Sequence, residues 1–183
     1  MPSVTEILTP LTAGKYPPSG VVAQAANRGT RVHELCALYD MDALPDEFEG
    51  ELVPYIQAWA DFCRDYSPEW LYIEQPVCAT DPNGHITAGT LDRLGGIDGK
   101  QIVVDIKTAQ SFDRASKVSL ACQLAAYAWM ADVPLSNDGL GVQLLKNGTY
   151  RLYWRSDIQQ KYFFQALPLF YDLRDIYHIT KGS

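Results

Sequence analysis

Apolar residues recur at helical spacing through the first third of the chain, alternate through the middle, and return to helical spacing twice afterwards. Ser3-Val4-Thr5-Glu6 reads as a capping box for a short helix ending near Leu11. Gly14 to Gly20, with Pro17 and Pro18, predicts a loop. From Val21 to Tyr39, Val32, Leu35, Cys36 and Tyr39 form an apolar stripe, while Gly29, Thr30, His33 and Ala37 make a second face of mostly small residues. The acidic run from Asp40 to Glu51 predicts a solvated loop. Val53, Ile56, Trp59, Ala60 and Cys63 then mark an amphipathic helix that stops before Ser67-Pro68.

Alternation starts at Glu69 and runs to Ala79, a strand in which Pro76 implies an edge or a bulge. Asp81-Pro82-Asn83-Gly84 is a turn signal, and the next strands flank Asp98-Gly99, a dipeptide suited to a two-residue hairpin turn. With Asp98 and Gly99 as the turn, Ile97 faces Lys100, Asp92 faces Asp105 and Thr90 faces Lys107. Ile102, Val104 and Ile106 then share one face of the second strand, and Val103, Asp105 and Lys107 the other. A helix is predicted to follow, running to about Ala131, with Leu120, Leu124 and Ala128 toward the core and Gln123 and Tyr127 on another face. Asn147-Gly148 marks a second hairpin between Leu140–Leu145 and Tyr150–Trp154. Ser156-Asp157-Ile158-Gln159 reads as a capping box for one long terminal helix, kinked at Pro168. The expectation is one domain over residues 1–183. It comprises a helical part (1–66), a sheet core containing one helix (69–155) and a terminal helix (156–178).

A chain of 183 residues with 47% hydrophobic content supports a single substantial core. The net charge of −7 supplies no overall basic field, so a polyanion would have to be held by local cations. Arg28, Arg31, Arg93, Arg114 and Lys117 are the candidates. Cys36, Cys63, Cys78 and Cys122 form no CxxC pair, which argues against a zinc or iron–sulfur knot and fits buried free thiols in a reducing cytosol. No signal peptide is visible and no apolar run approaches the ~20 residues of a membrane span, so a cytoplasmic protein with no membrane partner is expected.

The chemistry concentrates in the central hairpin. Carboxylates opposed on one face repel, and a divalent cation between Asp92 and Asp105 would relieve that repulsion while keeping waters for reaction. Lys107 lies beside them. Glu74 is a further candidate for the same face, although its strand register is not set by the sequence.

Four segments then combine: Arg28-Gly29-Thr30-Arg31-Val32-His33-Glu34, Gly89-Thr90-Leu91-Asp92-Arg93, Asp105-Ile106-Lys107-Thr108 and Gln123-Leu124-Ala125-Ala126-Tyr127. In that order they resemble the RecB-like branch of the PD-(D/E)xK nuclease superfamily, which includes phage recombination exonucleases, CRISPR-adaptation nucleases and a mitochondrial genome maintenance exonuclease. The resemblance covers about residues 2 to 130. It implies an α/β (α+β) restriction-endonuclease-like core, a central mixed sheet of about five strands flanked by helices. It also implies side-chain metal ligands at His33, Asp92 and Asp105, a backbone carbonyl ligand at Ile106, and a catalytic site of Asp92, Asp105 and Lys107. Gln123 and Tyr127, with Arg28, Arg31 and Thr108, would support the site and contact DNA; Glu34, Glu74 and Arg93 are weaker candidates. The implied activity is a Mg2+- or Mn2+-dependent DNA exonuclease of phage-type recombination, replication or repair. It would act on single-stranded or end-containing DNA, with a recombination or single-strand-annealing protein as a further partner. A structure-dependent endonuclease of the same chemistry and a non-catalytic DNA-binding scaffold are the alternatives. The cysteine spacing departs from that of cluster-bearing relatives, so no iron–sulfur cluster is expected.

Overall fold

The turn at Asp98 and Gly99 sets the geometry of the centre. Both residues have positive φ, 50° and 72°, the pairing a type I′ hairpin needs to match strand twist. In the computed structural model, which describes residues 1–12, 19–81, 84–162 and 164–181, this turn joins β2 (Ile86–Ile97) to β3 (Lys100–Lys107). Ile97 pairs with Lys100, and the register runs regularly to Arg93 opposite Val104. β1 (Glu69–Thr80) lies antiparallel to β2 as the edge strand, which is where Pro76 is tolerated. β4 (Gly139–Leu144) runs parallel to β3, and β5 (Tyr150–Trp154) closes the order β1-β2-β3-β4-β5. The fold is α+β, a five-stranded mixed open sheet flanked, among the described residues, by six helices.

The alternation in β3 assigns each helix to a layer. Val104 and Ile106 pack with Val32 and Leu35 of α2 (Ser19–Asp40) and with Trp59 and Phe62 of α3 (Val53–Tyr66). Val103 faces the other way, into a core with Val4 and Ile7 of α1 (Val4–Thr12) and Leu120 and Leu124 of α4 (Arg114–Met130). The start of α1 has the expected box: the Glu6 amide donates to Ser3 Oγ, and the Ser3 amide donates to the Glu6 carboxylate at 2.7 Å.

Four expectations need correction. The interruption before the second helix is shorter than Gly14 to Gly20, because Ser19 and Gly20 already belong to α2; residues 14–18 lie outside the described residues, as do Pro82 and Asn83 of the following turn signal. Asp40 is not solvated: its side chain is 1% exposed at the end of α2, paired with Arg93. Cys78, on the edge strand, is exposed, whereas Cys36 and Cys122 are buried; all four cysteines are free thiols.

The terminal helix is two helices, α5 (Arg155–Tyr162) and α6 (Ala166–Lys181). Ser156 is not a cap; its backbone and hydroxyl both donate to Asp138. Gln159 instead accepts the amide of Ala166 at 2.8 Å, fastening the start of the second helix, and Pro168 sits in that helix's first turn, where a proline costs no hydrogen bond. Phe163 lies outside the described residues. No helix among them is long and apolar enough to cross a membrane.

Candidate metal and active site

Four elements bring side chains to the point where β2 and β3 part. One step beyond the Arg93–Val104 pair, Asp92 Oδ2 accepts the backbone amide of Ile106 at 2.7 Å, so a side chain takes over where the ladder's register stops. His33, two turns from the end of α2, enters from the helical side: its Nε2 donates to the Ile106 carbonyl at 3.1 Å. That bond leaves Nδ1 facing Asp92 Oδ1 at 3.5 Å and Glu74 Oε1 at 3.7 Å. One ligand atom from each of His33, Glu74 and Asp92 lies within 4.8 Å of the other two.

Glu74 reaches this cluster through an unusual backbone. Its φ is +49° inside β1, a conformation that costs of order 1–3 kcal/mol for a residue with a side chain. Ile73 pairs with Arg93 and Gln75 with Leu91, so Glu74 lies across from Asp92.

Asp105 is buried beside them but is turned toward Lys107, whose ammonium donates to Oδ1 at 3.0 Å and lies 2.7 Å from Oδ2. The expected ligand set is His33, Asp92 and Asp105 with the Ile106 carbonyl; of these, His33 and Asp92 converge with Glu74, while Asp105 is paired to the adjacent lysine. The Ile106 carbonyl, expected as a ligand, here accepts the proton that orients His33. Lys107 also donates to Gln123 Oε1 at 3.0 Å. Tyr127, one turn later on α4 than Gln123, lies close against Gly89. A Cβ at Gly89 would lie 2.7 Å from the Tyr127 ring, which explains a glycine in that strand position.

The electrostatics follow from burial and pairing. Burial works against a charge on His33, but the Asp92 carboxylate, helped by Glu74 and Asp105, pushes its pKa up to about 10. Burial would raise Asp92 as well; His33 and Lys107 outweigh it and hold this carboxyl below its ordinary value. Asp105 goes the other way, raised by burial and by the neighbouring Asp92 against the pull of Lys107. Lys107 keeps its proton because Asp105 and Asp92 overcome the cost of its burial.

The remaining candidates divide. Arg93 is fully buried, with Nε 2.7 Å from Asp40 and Nη1 2.9 Å from Glu74, so it cannot meet a DNA phosphate. Glu34 is exposed and paired to Arg31, which also holds Glu49; neither joins the cluster. Arg28, on His33's own helix, lies over the Tyr55 ring and Thr108 lies against Gly29 of that helix, while Arg114 and Lys117 lie over Tyr162 and Tyr153. Asp40 is the residue that sequence reasoning missed: its Oδ1 accepts the Trp59 indole at 2.9 Å, and no local pattern marks it.

No family model and no curated protein matches this chain. Among solved structures, one described as "Crystal structure of SSO0001" is similar at 16% identity and a TM-score of 0.42, covering 86% of this chain and 71% of that one.

Proposed function

We propose that this chain is a metal-dependent deoxyribonuclease, most simply an exonuclease hydrolysing phosphodiester bonds during DNA recombination, replication or repair in the cytoplasm of a bacterial or phage-infected cell. One observation carries the reading: a lysine paired to a buried aspartate stands beside a partly buried histidine–carboxylate cluster of cation-binding size. The donor set fits the implied ion. Carboxylate oxygens suit Mg2+, and the imidazole of His33 favours Mn2+ as well. Charge supports it too: the carboxylates of Asp40, Glu74, Asp92 and Asp105 face the fixed cations of Arg93 and Lys107, which leaves two negative charges when His33 is neutral.

A bound divalent ion would supply an acidified water and polarise the scissile phosphate. His33, Asp92 and Glu74 would hold it. Lys107, held 2.7 Å from Asp105, is placed to neutralise charge growing on a nonbridging phosphate oxygen. Gln123 accepts a second hydrogen bond from that ammonium. Arg28, Arg114 and Lys117 are the candidate cations left for the DNA backbone once buried Arg93 and the doubly paired Arg31 are set aside, and an acidic chain must rely on such local contacts.

The test is incubation with end-labelled linear DNA and covalently closed circles in Mg2+, Mn2+ or EDTA. Metal-dependent loss of linear DNA alone is the expected result. Nicking of circles would make the protein an endonuclease of the same chemistry, and inert protein that still binds DNA would make it a scaffold.

A further inference from the structure

Glu74 and Arg93 are joined in a way that the proposed chemistry does not by itself require. Arg93 follows Asp92 directly in β2, yet points to the opposite side of the strand, where its guanidinium is wholly enclosed. Its Nε donates to Asp40 Oδ2 at 2.7 Å, and Nη1 donates to Glu74 Oε1 at 2.9 Å and to the Asp92 carbonyl at 2.6 Å. The Trp59 ring covers it, with the guanidinium carbon 5.5 Å from the ring centroid, and the Trp59 indole holds the other oxygen of Asp40. A buried arginine in such a setting is fixed in place, because Nε and Nη1 find acceptors on two sides, while Nη2 is buried without a hydrogen-bond partner.

Asp40 closes the same helix that carries His33. The chain of contacts from Asp40 through Arg93 to Glu74 therefore ties the His33 helix to the edge strand, behind the cation cluster and out of solvent. At its far end stands the one carboxylate of the cluster that needs a positive φ to get there.

Resting on the nuclease reading above, we infer that Glu74 is a side-chain ligand of the cation beside His33 and Asp92, and that Arg93, anchored by Asp40, is a positioning residue that aims it. The edge strand β1 thus contributes to the site, a role that none of the four sequence segments assigns to it.

The experiment is Mn2+ binding to the full chain without DNA, measured by calorimetry and by loss of free-ion EPR signal. It uses wild type, Glu74→Gln, Asp40→Asn, the double variant, and Glu51→Gln as an exposed control. Glu74→Gln keeps an oxygen for Arg93 and should preserve the melting temperature in EDTA, while Mn2+ affinity falls about 10- to 100-fold, the range for removing or disturbing a ligand's support. Asp40→Asn should weaken binding on its own but add nothing in the Glu74→Gln background, since it acts through that carboxylate. Equal affinity in wild type and Glu74→Gln overturns the ligand assignment and leaves the nuclease reading standing. Additive losses overturn the positioning role. A wild-type protein that takes up no Mn2+ refutes the nuclease reading itself, and this inference with it.

Discussion

Asp92 does two things for Ile106 and its neighbours: it accepts the Ile106 amide at 2.7 Å and presents its other oxygen to His33 at 3.5 Å. A structural bond and a ligand position thus belong to one carboxylate. The two can be separated. Asp92→Asn keeps an oxygen for the amide, whereas Asp92→Ala leaves a buried N–H unpaired, a loss of about 1–3 kcal/mol. Both variants should lose metal-dependent cleavage, and only the alanine should show a large drop in denaturation midpoint in EDTA. Equal midpoints would mean that the bond contributes nothing.

His33 gives a pH dependence with a definite sign. Its folded pKa is raised to about 10 from an unfolded value of about 6.5, so its contribution to metal-free stability is complete below ~6.5 and is lost as pH rises through 10. The raised Asp105 adds a loss in the same direction at lower pH. A divalent ion replaces the proton on Nδ1, so its stabilising effect should grow over the same window. Melting curves from pH 6 to 9 should fall in EDTA and flatten in Mn2+. His33→Gln should be flat in both, and a wild-type curve that rises in EDTA would contradict the assignment.

Lys107 is bracketed by Asp105 and Gln123, which fixes its ammonium without burying it completely. Lys107→Met should lower the cleavage rate by about 10²- to 10³-fold, the usual cost of losing one electrostatic contact to a transition state. DNA affinity, measured in Ca2+ by fluorescence anisotropy, should change little. A variant with near-normal turnover would remove Lys107 from the chemistry.

The packing of Tyr127 on Gly89 can be probed independently of activity. Gly89→Ala places a Cβ 2.7 Å from the ring, and overpacking of that kind costs about 1–3 kcal/mol. Tyr127→Val removes the obstruction, so the double variant should lose less than the sum of the single losses in urea titrations. Simple additivity would show that the two residues do not meet.

Much of this site was legible because it is local. Asp98-Gly99 permits only a narrow set of turns, and counting outward from it gives the pairing from Ile97–Lys100 to Arg93–Val104 that the register shows, one step short of Asp92 and Asp105. The spacing of Gln123 and Tyr127 likewise needed only a helix. What was missed depends on distant parts of the chain. Asp40 looks like the first residue of an acidic loop until Arg93, 53 positions away, is packed against it. Glu74's positive φ leaves no mark in an alternating strand. The break after Tyr162 was hidden because apolar spacing continues across it, while the contact that fastens the start of the next helix, Gln159 reaching forward to Ala166, is a single side-chain bond.

The sheet separates two apolar layers, and each supplies one side of the candidate site: α2 brings His33 from one side, and α4 brings Gln123 and Tyr127 from the other. Slippage of either layer by a fraction of an ångström would misalign the reacting groups while both cores stayed dry. Inactivation by heat or mild denaturant should accordingly run ahead of global melting, with turnover reporting the fit between the two halves.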